Sequence, residues 1–154
     1  MFNNKYLSLL IIFIITFLAS SIGGVVTSIY KEPWYSQIIQ PSFSPPSWVF
    51  GPVWTILYIL MSLAIWHNWQ SHKNSKTLKI YFIHLFFNGI WSVIFFAFHQ
   101  IFLALINLLI ILFFILWLMR IFLKNSKLSF LLMLPYLLWS CYALLLNVNI
   151  FYLN

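Results

Sequence analysis

The chain has 154 residues, of which 64% are hydrophobic, 21% aromatic and only 6% charged, with a mean hydropathy of +0.99. A soluble domain carries about 25% charged residues; this chain has too little polar surface to cover a water-soluble fold. The formal charge of +7 sets eight Lys and Arg against one acid, Glu32, and bases gathered in short loops of an apolar chain set membrane topology and meet anionic head groups rather than nucleic acid.

Long apolar runs without strand-like alternation point to helices, not a barrel, as the spanning element. A crossing helix needs about 20 mostly apolar residues. Five stretches qualify: 6–29, 47–69, 78–98, 101–123 and 128–153. They predict an all-α integral membrane protein: one domain over 1–154, a bundle of five transmembrane helices with a long loop between helices 1 and 2. The first stretch holds Ala19, Ser20 and Ser21, small as at a signal-peptide cleavage site. Its apolar run outlasts a signal-peptide core, so a retained span is expected.

The loop, 30–46, carries Trp34, Tyr35 and Pro41, and a loop of this length is often a lid or binding element. Pro45-Pro46 then mark a hard helix start, and Pro52 predicts a bend or a freed carbonyl. Trp48, Trp54 and Tyr58 on the first turns suit a flat hydrophobic ligand, or equally the interfacial aromatics of an ordinary span.

Polar residues inside the spans are few and costly in lipid, so they are expected to face the interior. In the second span Trp54, Tyr58 and Ser62 share a face. In the third, Tyr81, His84, Asn88, Trp91 and Phe95 recur at steps of three and four, one face of a helix. His99-Gln100 turns the chain into the fourth span, which offers Asn107. The fifth carries Tyr136, Trp139, Ser140, Ala143, Asn147 and Asn154. Such stripes serve either as glue between helices or as the lining of a mostly aromatic pocket with a few polar contacts.

No span contains Asp or Glu, which excludes a carboxylate pair, a Ser-His-Asp triad and an acid-based proton pump. The lone Cys141 can form no internal disulfide, and no metal site is expected. His84, with His99 further along the same segment, is conceivable as a haem ligand, but no partner span offers a second histidine. A hydrogen-bonded interior His is the expectation. Lys5, Lys73, Lys76, Lys79, Arg120, Lys124 and Lys127 fall on one side of the predicted topology and Lys31 alone on the other. This bias places the N-terminus in the cytoplasm and the long loop outside.

These residues together resemble the TspO/translocator protein family, also called tryptophan-rich sensory proteins or peripheral-type benzodiazepine receptors. The resemblance runs nearly end to end. It starts at Gly23-Gly24 and Trp34-Tyr35. Residues 41–58 follow P-x-x-x-P-P-x-x-x-F-x-P-V-W-T-x-L-Y. Leu85, Asn88, Trp91, Ser92, Phe95 and Phe96 form a third-span motif, and Pro135, Tyr136, Trp139, Ala143 and Asn147 a fifth-span motif. The resemblance implies a homodimer with a cavity opening toward the long loop. It implies tetrapyrrole ligands such as protoporphyrin IX or haem, with no obligatory cofactor, and a role in sensing, sequestering or transporting porphyrins. Ligand-binding residues would be Trp34, Tyr35, Phe43, Trp54, Tyr58, His84, Asn88, Trp91, Asn107, Trp139, Ala143 and Asn147. It also implies the alternative of a light-dependent porphyrin-degrading enzyme, in which Trp54 and Trp139 would be catalytic. A structural subunit without a ligand is the remaining alternative. Two positions depart from the family pattern: Phe43 stands where Trp is common, and His84 where Gln is. No basic residue follows Tyr152, which argues against a sterol role. Chain length, composition and charge bias together favour a bacterial inner membrane.

Overall fold

The structure, a computed structural model, describes residues 4–154. Helix α1 spans Lys5–Tyr30, the short α2 Trp34–Gln37, α3 Ser47–His72, α4 Ser75–Ser92, α5 Ile101–Asn125 and α6 Lys127–Leu153, and a π-helical turn, Val93–Ala97, continues α4. Five of these segments, α1, α3, α4 with its π turn, α5 and α6, are long and apolar enough to cross a membrane.

Local chemistry sets the helix starts. The Asn4 side chain accepts from the backbone N–H groups of Tyr6 and Leu7 at 2.9 and 3.2 Å. Asn74 caps α4 through Lys76 N–H at 3.0 Å, and Ser126 caps α6 through Ser129 N–H at 3.2 Å. Such caps satisfy N–H groups that a helix leaves free. Helix α3 begins directly after Pro46, as the Pro-Pro pair predicts. It also runs past the expected end at 69 to His72, where Lys73 adopts a left-handed φ of 47°. Hydropathy marks only the apolar part of a helix; the polar last turn is read from its cap.

Neither internal proline interrupts its helix: α3 is continuous through Pro52 and α6 through Pro135. Of the two effects expected at Pro52, the freed carbonyl is the one the continuous helix shows. Pro52 lies near the N-terminal end of α3, where its missing N–H deprives only the Trp48 carbonyl.

The helices neighbour one another in the order α1, α3, α6, α5, α4 and back to α1, a closed ring. One half of the ring is solid: Ile12, Met61, Ile65, Tyr81, Ile115 and Met133 are fully or almost fully buried there. At the other end Phe95, Phe96, Ala104 and Ile150 form a smaller cluster, against which Trp34, Tyr35 and Ile38 of the loop pack. Helix contact in lipid rests on close van der Waals approach, which small residues permit. A Cβ on Gly89 of α4 would lie 3.4 Å from the Ala19 carbonyl oxygen of α1, and Ala104 is fully buried. These small residues serve contacts within the bundle.

Candidate functional site

Near the loop end, the ring encloses a cavity of about 600 Å³. Its walls differ in kind. Helix α1 offers small residues: Ser20, Gly23, Gly24, Thr27 and Ser28. A Cβ added at Gly24, or at Gly51 of α3, would meet nothing within 4 Å, so these glycines widen the space. The opposing wall is aromatic: Trp54 and Tyr58 of α3, Trp91 of α4, and Tyr136 and Trp139 of α6. Among the exposed lining residues are Ser21, Gly24 and Ser28 of α1 and Ser47, Gly51 and Thr55 of α3. The mouth therefore lies between the loop-side halves of α1 and α3.

The aromatic wall is held by ring contacts. Trp54 stacks on Tyr58 with centroids 5.5 Å apart and meets Tyr136 edge-on at 6.2 Å. Trp91 lies parallel to Phe95 at 4.9 Å, and Trp139 meets Phe50 edge-on at 6.0 Å. Offset and edge contacts of this kind add roughly 0.5–1.5 kcal/mol per pair beyond area burial, enough to restrain the rings.

Beneath that wall runs a directed hydrogen-bond chain. The Tyr58 hydroxyl donates to Asn88 Oδ1. The Asn88 amide N–H then donates to the Tyr136 oxygen at 2.9 Å, which leaves Tyr136 free to donate its own proton. His84 Nε2 lies 2.7 Å from the same hydroxyl and closes the chain. By contrast, Trp91 Nε1 and both amide atoms of Asn147 are buried and make no hydrogen bond among the described residues. Both side chains line the cavity. A buried polar atom without a partner is costly, and a ligand's polar atoms could meet these.

Of the residues singled out from the sequence, the structure brings Tyr35, Trp54, Tyr58, Asn88, Trp91, Trp139, Ala143 and Asn147 to this one cavity. Trp34, Phe43, His84 and Asn107 are not among its lining residues. Trp34 stacks on His99 at 4.5 Å and meets Phe95 edge-on at 5.3 Å. Its neighbour Tyr35 lines the cavity instead. Phe43 is 47% exposed, and its carbonyl accepts from the Tyr142 hydroxyl at 2.7 Å. His84 lies one layer below, behind Tyr136. His99 sits beyond the π turn at φ 55°, so the two histidines do not share a helical face. Asn107 donates to the Phe87 carbonyl at 2.9 Å and ties α5 to α4. The loop reaches the cavity only through Lys31, Glu32 and Tyr35. Burial, and after it the Glu32 carboxylate, push the Tyr35 phenol above its ordinary range, so it stays neutral at physiological pH.

The small-residue wall of α1 escapes a search for aromatic and polar stripes. Its signal is in the sequence nonetheless: Ser20, Gly24, Thr27, Ser28 and Lys31 recur at helical steps of three and four, one face of a helix.

Comparison with known proteins accords with this architecture. Residues 10–153 match the sequence profile of the TspO/MBR family. The chain belongs to the TspO/MBR family. It is 33% identical to the tryptophan-rich protein TspO of Chlorobaculum tepidum, with 98% of this chain and 99% of that protein covered. Identity to the tryptophan-rich protein TspO of Archaeoglobus fulgidus is 32%, over 86% of this chain and 87% of that one. The human translocator protein is 32% identical over 84% of this chain and 82% of its own length. As a TspO/MBR protein with five helices long and apolar enough to span a bilayer, the chain is an integral membrane protein.

Proposed function

We propose that this TspO/MBR protein binds a flat, largely apolar tetrapyrrole of the protoporphyrin IX or haem type in the cavity between α1, α3, α4 and α6. It would sense, sequester or move porphyrins in a bacterial inner membrane, as a homodimer with its N-terminus in the cytoplasm. The observation that carries the reading is the pairing of walls: small residues along α1 face Trp54, Trp91 and Trp139 across about 600 Å³. That is a slot for a broad planar molecule, and mostly apolar clefts of roughly 300–1,000 Å³ with few polar groups are the usual form of small-molecule sites. The sensory and translocator names of relatives agree with it.

A second reading shares the pocket. Trp54 and Trp139 both line it, and an excited porphyrin held against an indole can take an electron from it, with dioxygen as co-substrate. In that case light would consume the ligand and Trp54 and Trp139 would be catalytic.

The test is a dark titration of purified protein in detergent with protoporphyrin IX, following the Soret band and Trp quenching. Saturable binding is expected, weakened about tenfold or more in the Trp54→Phe/Trp139→Phe double variant and in Gly24→Leu, which fills the slot from the α1 side. Linear partitioning, identical in all three proteins, would overturn the porphyrin reading and leave a structural subunit or another ligand. Illumination of the saturated complex then separates binding from degradation: bleaching of the Soret band that needs both tryptophans would favour the enzyme.

A further inference from the structure

From the geometry at the cavity mouth we infer that Lys31 is a carboxylate-binding subsite, which selects flat ligands bearing an ionised acid at one edge. This rests on the proposed function for the body of the ligand and adds the group that orients it.

Lys31 and Glu32 are the charged residues lining the cavity. Their side chains differ in exposure, 25% for Lys31 against 57% for Glu32: the cation turns inward and the acid outward. The Lys31 ammonium donates to Ser47 Oγ of α3 at 3.0 Å and lies 5.2 Å above the Tyr35 ring. Both partners also line the cavity, so the ammonium is pinned at its rim. Glu32 forms a loose ion pair with it, Oε1 lying 3.8 Å away, beyond hydrogen-bond reach. The other Glu32 oxygen accepts from Ser36 at 2.6 Å instead. An ammonium has three donors and no acceptor, so beside its bond to Ser47 it keeps donors for an anion at the mouth.

A cation at the end of α1 would suit the helix dipole wherever it pointed. The dipole does not explain why the side chain is drawn across to α3 and over the Tyr35 ring. With Glu32 close to the same ammonium, a singly charged carboxylate fits better than a phosphate dianion. The rest of the lining is neutral, which leaves the apolar body of the ligand for the aromatic wall.

The test compares acid and ester on the intact protein in detergent. Dissociation constants are measured in the dark for protoporphyrin IX and its dimethyl ester, and for 1-pyrenebutyrate and its methyl ester, on wild type, Lys31→Gln and Lys31→Arg. Comparing each ligand between proteins cancels its partition into micelles. A charge-assisted hydrogen bond in a partly dry site is worth about tenfold in affinity. Lys31→Gln is therefore expected to weaken the acids about tenfold while leaving the esters unchanged, and Lys31→Arg to retain the acid preference. The same acid-to-ester ratio in Lys31→Gln as in wild type, for both pairs, would overturn the subsite. If neither porphyrin saturates while pyrenebutyrate keeps its Lys31-dependent advantage, the porphyrin reading fails and the subsite stands. Saturable porphyrin binding with a ratio indifferent to Lys31 means the reverse.

Discussion

Tyr136 is where three hydrogen-bonding demands meet. Its oxygen receives the Asn88 amide, its hydroxyl pairs with His84 Nε2, and its ring supports Trp54 edge-on. Asn88 in turn depends on Tyr58. Among the described residues, every member but the far nitrogen of His84 is satisfied. Removing one hydroxyl would strand two buried polar groups, each costing roughly 1–3 kcal/mol. Tyr136→Phe is therefore expected to destabilise the protein by about 2–6 kcal/mol in thermal unfolding in detergent. Tyr142→Phe gives up a single bond to the Phe43 carbonyl near the surface and should cost about 0.5–1 kcal/mol. Equal melting of the two variants would show that the chain from Tyr58 to His84 carries no special weight. The same residues mark a limit of reading from sequence. The spacing of His84, Asn88 and Trp91 announces one face, but a helical face spans several layers. The sequence does not say that Trp91 and Asn88 reach the cavity while His84 stops below it.

At the level of elements, the loop between α1 and α3 is a clasp more than a free lid. Asn154, beyond the end of α6, mimics a paired backbone: Oδ1 accepts from Ile39 N–H at 2.8 Å and Nδ2 donates to the Ile39 carbonyl at 3.2 Å. Tyr142 holds Phe43, and Trp34 is stacked on His99. Phe43 and Trp34 thus fasten the loop to α6 and to the α4–α5 turn, leaving the mouth between α1 and α3. Asn154→Ala is expected to raise hydrogen exchange across residues 38–43, with little change in global melting. Exchange as slow as in wild type would mean that Tyr142 and Trp34 suffice. The spans themselves are legible because a bilayer imposes a fixed apolar length and satisfied backbone on every crossing. The α1 wall is harder to see because it consists of side chains that are not there: glycine and serine leave room, and room has no residue signature until a facing wall is known.

For the molecule as a whole, charge and cavity lie at opposite ends. At one end Trp66 donates to the Lys5 carbonyl at 3.2 Å, Gln70 to Ser8 at 2.9 Å, and His67 meets Ser126 at 3.0 Å. These ties gather the N-terminus, the α3–α4 turn and the α5–α6 joint, around which Lys5, Lys73, Lys76, Lys79, Arg120, Lys124 and Lys127 cluster. The cavity end carries Lys31 and Glu32. Such an asymmetry should be read by the insertion machinery, which keeps Lys- and Arg-rich short loops in the cytoplasm, so the cavity would open on the far half of the membrane. Accessibility of single cysteines checks this directly. In a Cys141→Ser background, which removes the one native thiol, Gln100→Cys at the α4–α5 turn should react with a membrane-impermeant maleimide in intact bacterial cells. Ser75→Cys, at the start of α4, should react only after lysis. The opposite pattern would put the mouth on the cytoplasmic side. The loop that carries Lys31 would then face the cell interior.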